Sequence, residues 1–159
     1  MEETITPQEE QHLFDSSVMY TTAPQGSRFV NWLIDNLFMQ FALGYATGYV
    51  AGMILASVAP EFLVAAYYDK GMEYYFLIFI LGLINTLVYY IFCEAAFKGY
   101  TLGKLITGTR AVRISGEPLS FRDVLMRSLS RLVPFEAFSG FGTAPWHDTW
   151  TKTTVIKAR

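Results

Sequence analysis

The sequence predicts an all-α membrane protein: a two-helix transmembrane hairpin, an amphipathic interfacial helix or short third membrane helix, and a small cytosolic β-hairpin. Two uncharged runs predict the transmembrane hairpin. The 25 residues between Asp35 and Glu61, and the 20 from Tyr74 to Cys93, carry no charged side chain. An apolar stretch of about 18 residues or more is long enough to cross the roughly 30 Å hydrocarbon core of a bilayer. The composition agrees, because 52% of the residues are hydrophobic and only 16% are charged.

The chain divides into two predicted regions. Residues 1–25 form an acidic, flexible cytosolic tail with a short helix around residues 8–14, because this segment is polar and holds no Lys or Arg. It lacks a basic region followed by a short apolar stretch, so we expect no cleaved signal peptide. Residues 26–159 form the membrane domain.

The transmembrane helices are expected at about residues 27–57 and 72–97. Pro60 marks the end of the first helix, and Lys98-Gly99 closes the second. The segment between them, residues 59–73, is expected to be a short loop with Lys70 as its only cation. Cations flank the opposite ends of the helices at Arg28, Lys98, Lys104, Arg110 and Arg113. By the positive-inside rule, the loop faces outward and both termini are cytosolic.

A third helix is expected at residues 120–133. Ser120 and Asp123 form a start signal for this helix, and Pro134 ends it. Asp123, Arg127 and Arg131 form an ionic stripe, while apolar residues occupy the opposite face. The segment is short and charged, which favours a helix lying at the membrane interface over a short third span or a re-entrant segment; those two interpretations stay open.

Two short segments near the C-terminus have β character. They are residues 109–114 (TRAVRI) and Thr153–Lys157 (TTVIK), and residues 115–118 between them read as a turn. We expect the two segments to pair as an antiparallel β-hairpin.

Small residues recur at every fourth position of the first helix, at Gly44, Gly48, Gly52 and Ala56. In lipid, such a stripe lets another helix approach closely enough for dispersion contacts, so it predicts a packing face. Two partners fit this face. One is a second copy of the chain, which would make the stripe a homodimer seam, and the other is the second helix of the same chain.

A polar cluster is predicted at the cytosolic ends of the two long helices. Arg28, Asn31 and Asp35 share one face of the first helix, and Glu94 lies at a similar depth in the second. An ionised carboxylate facing lipid is costly, so Asp35 and Glu94 should find cations. We expect these cations to be Arg28, Arg127 and Arg131. The cluster is then either a structural tie that pins the third helix to the hairpin, or an ion-binding site in which a carboxylate exchanges a proton for a cation.

No catalytic or metal site is predicted, and the chain is not expected to be an enzyme or to need a cofactor. Residues 99–104 (GYTLGK) are similar to a phosphate-binding loop only superficially, since the glycine spacing is one residue short and Leu105 replaces the Ser or Thr that would meet magnesium. Cys93 is the single cysteine, which excludes an intrachain disulfide and a cysteine-based zinc cluster. The basic residues flank the spans and suit anionic lipid headgroups, so no nucleic-acid partner is expected.

Three segments of the chain carry a family resemblance. They are residues 26–35 (GSRFVNWLID), 98–139 (KGYTLGKLITGTRAVRISGEPLSFRDVLMRSLSRLVPFEAFS) and 145–156 (PWHDTWTKTTVI). Together they resemble the RDD family of small integral membrane proteins, which is named for one arginine and two aspartates. The resemblance implies that these residues are Arg28, Asp35 and Asp148. It also implies a Gly-x-Thr-x-Gly-Lys element at residues 99–104, followed by arginines at Arg127 and Arg131.

The resemblance implies less about activity than about site residues. Most members of the family have no assigned function; transport is commonly proposed, some members are linked to sodium/proton exchange, and a eukaryotic relative is linked to assembly of a membrane protein-degradation complex. The third hydrophobic segment that many members show is interrupted in this chain by Pro134, Glu136 and Pro145.

The expected function is that of a non-enzymatic component of a bacterial plasma (inner) membrane. The leading hypothesis is an oligomeric transporter or cation/proton exchanger component, in which Arg28, Asp35 and Asp148 meet near the cytosolic interface. The alternative is an accessory or scaffold protein of a larger membrane complex, with a purely structural Arg/Asp cluster. The expected partners are the lipid bilayer and either further copies of the chain or a membrane protein complex.

Overall fold

Two long helices dominate the residues that the computed structural model describes, which are 20–140 and 144–158. The first runs over Gln25–Val58 and the second over Met72–Ala96, and both are long and apolar enough to cross a membrane. Most of their large apolar side chains are exposed, as a lipid-facing surface requires. The two helices predicted from the uncharged runs are therefore confirmed. The predicted helix at residues 8–14 lies outside the described residues.

The first long helix, here the first span, is continuous but not uniform. It consists of α1 (Gln25–Phe38), a π-helical segment (Met39–Leu43) and α2 (Gly44–Val58). Buried Asn31 and Asp35 give α1 a polar face, whereas no residue of α2 is buried. A π segment inserts an extra residue into a turn, and such segments are frequent at functional sites. This one begins a turn after Asp35 and separates the polar end of the span from its glycine-rich part.

A further helix, α3 (Pro60–Tyr68), lies between the two spans. Pro60 ends the first span and also occupies the first turn of α3, where the missing N–H of proline has no intrahelical role. The prediction of a plain loop at residues 59–73 is therefore wrong. Proline ends a preceding helix, but it is also common in the first turn of the next one, and Pro60 does both here.

The second span is α4 (Met72–Ala96), and it contacts the π segment and α2 of the first span. Met39, Tyr89 and Tyr90 form a buried apolar cluster between the two. Nearer the middle, Asn85 Nδ2 donates to Thr47 Oγ1 at 2.9 Å. This bond gives both polar groups a partner where lipid offers none.

The predicted strands pair as expected but do not form a hairpin. After α5 (Leu102–Thr107), β1 (Thr109–Arg113) runs antiparallel to β2 (Thr153–Lys157), with Thr109 opposite Lys157. The chain between the strands contains α6 (Phe121–Ser130), α7 (Glu136–Ser139) and α8 (Trp146–Thr151). The antiparallel pairing is thus confirmed, whereas the hairpin is wrong because helices occupy the connection.

The described end of the N-terminal tail belongs to the folded part of the protein. Thr22 forms a β-bridge with Ile156, and the Ala23 amide donates to the Val155 carbonyl at 2.8 Å. These residues lie along the free edge of β2. The predicted flexible tail of residues 1–25 therefore extends a few residues too far.

Helix α6 begins where the sequence predicts and ends three residues before the predicted end. Ser120 and Asp123 form a reciprocal capping box at its start, but the helix stops at Ser130 rather than at residue 133. Its ionic side faces the protein, because Arg127 is fully buried, while the apolar side chains of Phe121, Leu125 and Leu129 are exposed. Charged and polar side chains consequently form a large part of the buried core at this end of the molecule, beside a small apolar cluster of Ala23, Ala111 and Val155.

Candidate functional site

The candidate site is a buried ion network at one end of the spans, made of Arg28, Glu94, Lys104, Arg127, Arg131 and Asp148. Its centre is Glu94, near the end of α4 and 1% exposed. Lys104 Nζ lies 2.7 Å and Arg131 Nη2 3.2 Å from its Oε1, and Arg127 Nε lies 3.0 Å from its Oε2. Because a buried charge is costly unless paired, these contacts hold α5 and α6 against the end of the second span.

Arg127 extends the network to the C-terminal helix and to the first span. Its Nη1 lies 2.6 Å from Asp148 Oδ1 and also contacts the Thr153 hydroxyl. The other oxygen of Asp148 accepts from Arg28 Nη1 at 2.9 Å. Burial alone lowers the pKa of the Arg127 guanidinium, but Glu94 and Asp148 outweigh that effect and raise it. Arg127 is therefore a permanent cation that bridges two carboxylates.

For Lys104, in contrast to Arg127, the effect of burial on the pKa is the larger one. Its ammonium is fully buried, and this burial lowers its pKa below the usual value even though Glu94 acts to raise it. Arg127 and Arg131 add to the lowering because they are like charges. Lys104 is thus the cation of the ion network whose proton is easiest to remove.

Asp35 belongs to a separate set of contacts. Its Oδ1 accepts from the Tyr89 hydroxyl at 2.7 Å and from the Gly103 amide at 2.8 Å, and its Oδ2 accepts from the Thr101 hydroxyl at 2.8 Å. Within residues 20–140 and 144–158, no ion pair involves Asp35. The carboxylate instead binds donors at the start of α5, where the helix dipole favours a negative charge.

The expected meeting of Arg28, Asp35 and Asp148 is therefore only partly found. Arg28 and Asp148 form an ion pair, whereas Asp35 lies on the same face of α1 but bonds to neither of them. Arg28 was also expected to neutralise Asp35 or Glu94, and that pairing is absent among the described residues because Asp148 takes the guanidinium.

The Gly-x-Thr-x-Gly-Lys element builds the contact between α1 and α5. Gly99 has a positive φ of 95°, and a Cβ there would lie 2.2 Å from the Ala111 carbonyl oxygen. A Cβ on Gly103 would lie 2.3 Å from the carbonyl oxygen of Asn31. Both positions thus require glycine, since the backbones approach too closely for a side chain. Thr101 caps α5, and Lys104 then points to Glu94.

Asn31 completes this contact with its side chain. Its Nδ2 donates to Thr109 Oγ1 at 2.9 Å, and its Oδ1 accepts from Thr107 Oγ1 at 2.5 Å. Asn31 therefore ties α1 to both the end of α5 and the start of β1.

Glu136 and His147 form a second titratable pair beside the ion network. His147 Nδ1 lies 2.5 Å from Glu136 Oε1, and its Nε2 lies 3.5 Å from Asp148 Oδ1. Burial raises the pKa of Glu136. Burial, followed by the nearby cations Arg131 and Arg127, lowers the pKa of His147 well below its usual value. The imidazole is therefore held neutral, and a neutral imidazole can either donate from Nδ1 to the Glu136 carboxylate or accept from the protonated acid.

A cavity of about 590 Å³, here the inner cavity, opens between α1 and the segment from α6 to α8. This volume lies within the range typical of sites for small ligands. The charged and titratable part of its lining is Arg28, Asp35, Lys104, Arg131, Glu136, His147 and Asp148. Phe29, Trp32 and Tyr90 supply an aromatic part. The inner cavity thus joins the Asp35 contacts, the ion network and the Glu136–His147 pair.

Two guanidinium nitrogens remain unsatisfied within the described part of the chain. They are Arg127 Nη2 and Arg131 Nε, both buried and without a hydrogen-bond partner. The Arg131 guanidinium lies over the Tyr90 ring, 4.1 Å from its centroid, and Arg131 lines the inner cavity. Leaving a buried donor unpaired costs about 1–3 kcal/mol, so these two nitrogens reduce the stability that the ion network provides.

The glycine stripe makes no close contact within the chain as described. A Cβ on Gly48 or Gly52 would meet no atom within 4 Å, and one on Gly44 would meet only the Met39 carbonyl oxygen of its own span. The second span therefore does not use this face for close packing. The face is available to another molecule.

Sequence reasoning identified most of the ion network and missed some of its partners. Arg127, Arg131 and Asp148 all reach it, as does Glu94. Lys104 was missed in the network, and Glu136 was missed in the neighbouring Glu136–His147 pair. A sequence signal for Lys104 exists. This residue lies in the glycine-rich element only six residues after Lys98, which closes α4, so it must lie near the end of that helix. Glu136 had no comparable signal, since it lies outside any periodic segment.

The chemistry of the site is electrostatic, since buried cations and carboxylates neutralise one another within it. No group of three or more His, Cys, Asp or Glu side chains that could hold a metal ion occurs among residues 20–140 and 144–158. The site is a cavity lined by cations, carboxylates and a Glu–His pair, placed at the end of two apolar helices.

These features define a class: small helical membrane proteins whose polar core lies at one end of the spans. A family model, described as the RDD family, matches residues 22–151. The chain belongs to the RDD family, which confirms the resemblance noted from its motifs. No curated protein and no solved structure matches the chain.

Proposed function

We propose that this protein is one subunit of an oligomeric membrane transporter that binds a small solute or a cation in the inner cavity. The observation that carries the proposal is the composition of that cavity. Charged groups and aromatic side chains line the same space of about 590 Å³ at the end of the spans. Ligand sites in proteins typically combine an apolar lining with a few convergent polar groups.

Asp35 is the group in the cavity best suited to respond to a cation or a proton. It is buried and surrounded by neutral donors, and the structure gives it no ion pair among the described residues. Buried carboxylates near the middle or the end of a span mark ion pathways in many membrane proteins. In a cation/proton exchanger, Asp35 would bind the two species alternately.

Self-assembly is part of the proposal because two spans enclose no wide pore. The glycine stripe of α2 supports it, since Gly48 and Gly52 face open space in the single chain. Small residues at this spacing favour close packing of helices in lipid.

We further propose that the protein lies in a bacterial plasma membrane with both termini in the cytosol. The cations near the ends of the spans support this orientation, against a single Lys70 in the segment between them. The apolar outer face of α6 supports a location of this helix in the membrane interface rather than in water. Cysteine labelling tests the orientation on a Cys93→Ser background: a reagent confined to the outside should label Tyr68→Cys and not Lys157→Cys.

Transport is tested by measuring proton flux into proteoliposomes in response to a sodium gradient. We expect Asp35→Asn to abolish the flux and Asp69→Asn to preserve it, because Asp69 is exposed between the spans. Unchanged flux in a folded Asp35→Asn variant would remove Asp35 from the mechanism. A wild-type protein with no flux under any cation gradient would remove cation exchange.

An accessory or scaffold role is the second candidate, and the saturation of the ion network favours it. Glu94 contacts Lys104, Arg127 and Arg131 at once, which is more than a mobile ion-binding carboxylate requires. On this hypothesis the network only fixes α6 and α8 to the spans. A misfolded Asp35→Asn variant, together with absent flux in the wild type, would favour this role.

A further inference from the structure

Cations outnumber carboxylates in the ion network beside the inner cavity. Within the described ranges, the network pairs four cations with only two carboxylates, Glu94 and Asp148; the cations are Arg28, Lys104, Arg127 and Arg131. Asp35 and Glu136 also line the cavity but form no ion pair with a lysine or arginine of the described chain. Arg131 therefore shares its one paired carboxylate with two other cations, in a place where incompletely paired charge is costly.

Arg131 is the cation of this network placed to meet a further anion. Its side chain is 10% exposed, and Nη2 binds Glu94 while Nε has no partner within the described ranges. Arg131 also lines the inner cavity, so an anion bound there would meet its guanidinium group. Guanidinium groups bind phosphate oxygens particularly well because their N–H groups are planar and permanently charged.

The other side of the cavity is apolar and continues the lipid-facing surface. Phe29 and Trp32 line the cavity and are both substantially exposed, with ring centroids 5.8 Å apart. They lie in α1, whose neighbouring apolar residues also face outward. A ligand that enters from the bilayer would therefore keep its hydrocarbon part against this surface while its charged part reaches Arg131.

We propose that the inner cavity binds the headgroup of an anionic phospholipid, with the phosphate accepting from Arg131 and the apolar part contacting Phe29 and Trp32. Basic pockets between spans at the cytosolic side are a known mode of anionic-lipid recognition. The proposal rests on the assignment of the cavity as a ligand site in the proposed function. It does not depend on transport.

Native mass spectrometry of the full chain in detergent tests the proposal. Delipidated protein is titrated with phosphatidylglycerol, phosphatidylcholine and glycerol 3-phosphate. We expect phosphatidylglycerol to bind roughly tenfold or more tightly than either of the others. It has both a net negative headgroup and hydrocarbon chains. Phosphatidylcholine adds a cation that the site does not match, and glycerol 3-phosphate has no hydrocarbon. Equal binding of phosphatidylcholine would overturn the requirement for an anion, and equal binding of glycerol 3-phosphate would replace the lipid by a free organic phosphate.

Two variants locate the binding. Arg131→Gln should weaken phosphatidylglycerol binding roughly tenfold or more, whereas Arg122→Gln, an exposed arginine of the same helix, should not. Gly26→Leu keeps the proposal testable if the first variant misfolds. Gly26 lines the cavity and a Cβ there meets no atom within 4 Å, so leucine should occupy the cavity without disturbing the ion network. Gly82→Leu, at an open position of α4, is the matched control.

The outcomes separate this inference from the proposed function. Full lipid binding by Gly26→Leu would overturn the inference even if proton flux is present. Selective lipid binding without any flux would uphold the inference and count against transport.

Discussion

Lys104 Nζ lies 2.7 Å from Glu94 Oε1, so a lysine just beyond the second span neutralises a carboxylate at its end. Both side chains are buried, and Arg127 and Arg131 contact the same carboxylate. Glu94→Gln is expected to lower the free energy of unfolding by about 3–5 kcal/mol, because it leaves these cations buried without their counter-charge. Chemical unfolding in detergent micelles measures the change.

Glu117→Gln is the matched control for this prediction. Glu117 pairs with Arg113 at 3.1 Å, but its side chain is 64% exposed, so the loss should stay within about 0.5 kcal/mol. A similar loss in both variants would mean that burial of the network contributes nothing to stability. Lys104→Met should recover part of the stability lost in Glu94→Gln, since it removes one of the orphaned cations.

Gly103→Ala is expected to destabilise the protein by about 1–3 kcal/mol or to prevent its folding. The reason is steric, because the new Cβ would lie 2.3 Å from the carbonyl oxygen of Asn31 and would push α5 away from α1. The midpoint of thermal unfolding measures the effect. Gly82→Ala serves as the control, since its Cβ meets no atom within 4 Å and alanine favours a helix. The prediction fails if both variants unfold at the wild-type midpoint.

His147 is expected to stay neutral in the folded protein below pH 6.5. Burial, and then the cations Arg131 and Arg127, hold its pKa well below that value. The unfolded chain takes up the proton first, so the stabilisation is present above pH 6.5 and is lost as the pH falls towards the folded-state pKa. Nitrogen-15 NMR of the imidazole should show no protonation between pH 7 and 6.5, and an ordinary titration there would contradict the assignment.

The pH dependence of unfolding isolates this residue further. Glu136 acts in the opposite sense, because its raised pKa stabilises the fold at acidic pH and this contribution is lost as the pH rises through that pKa. His147→Gln keeps Glu136 and removes the imidazole. The difference between the two unfolding curves should therefore grow as the pH rises from 5 to 7.

Gly48→Ile is expected to weaken self-association in detergent while leaving the single chain folded. A Cβ at Gly48 meets no atom of the described chain within 4 Å, so the larger side chain is expected to conflict mainly with another molecule packed on this face. Light scattering coupled to size exclusion measures the oligomeric state, with Gly82→Ile as control. If the oligomer persists unchanged, the stripe is not the contact between subunits.

The sequence predicts those parts of the fold that depend on local patterns. The length of the two uncharged runs is sufficient to locate the two long helices. The sequence pattern of Ser120 and Asp123 predicts a capping box, and the structure contains it. The short helices α3, α5, α7 and α8 were not predicted. Each is short, and tertiary contacts stabilise such helices more than their own residues do.

The site was harder to predict than the fold because charge pairing is a property of three-dimensional position. Spacing predicts that Asp35 and Glu94 lie at one depth, but it cannot show that hydroxyl and amide groups satisfy Asp35 while Glu94 takes the cations. The alternation of polar and apolar residues in α6 was read correctly. Its charged side faces the spans, as the expected pairing of Arg127 and Arg131 with the carboxylates of the spans requires.

The dependence of the polar core on late parts of the chain has a consequence for biosynthesis. Arg127 follows Glu94 by 33 residues, and Asp148 follows Arg127 by another 21. Synthesis runs from the N-terminus, so both spans are complete while Glu94 has only Lys104 as an early partner. The core therefore closes last, and a chain cut short before Arg127 would keep its spans and their direct contacts but lack the ion pairs through which Arg127 and Asp148 connect Glu94 to Arg28.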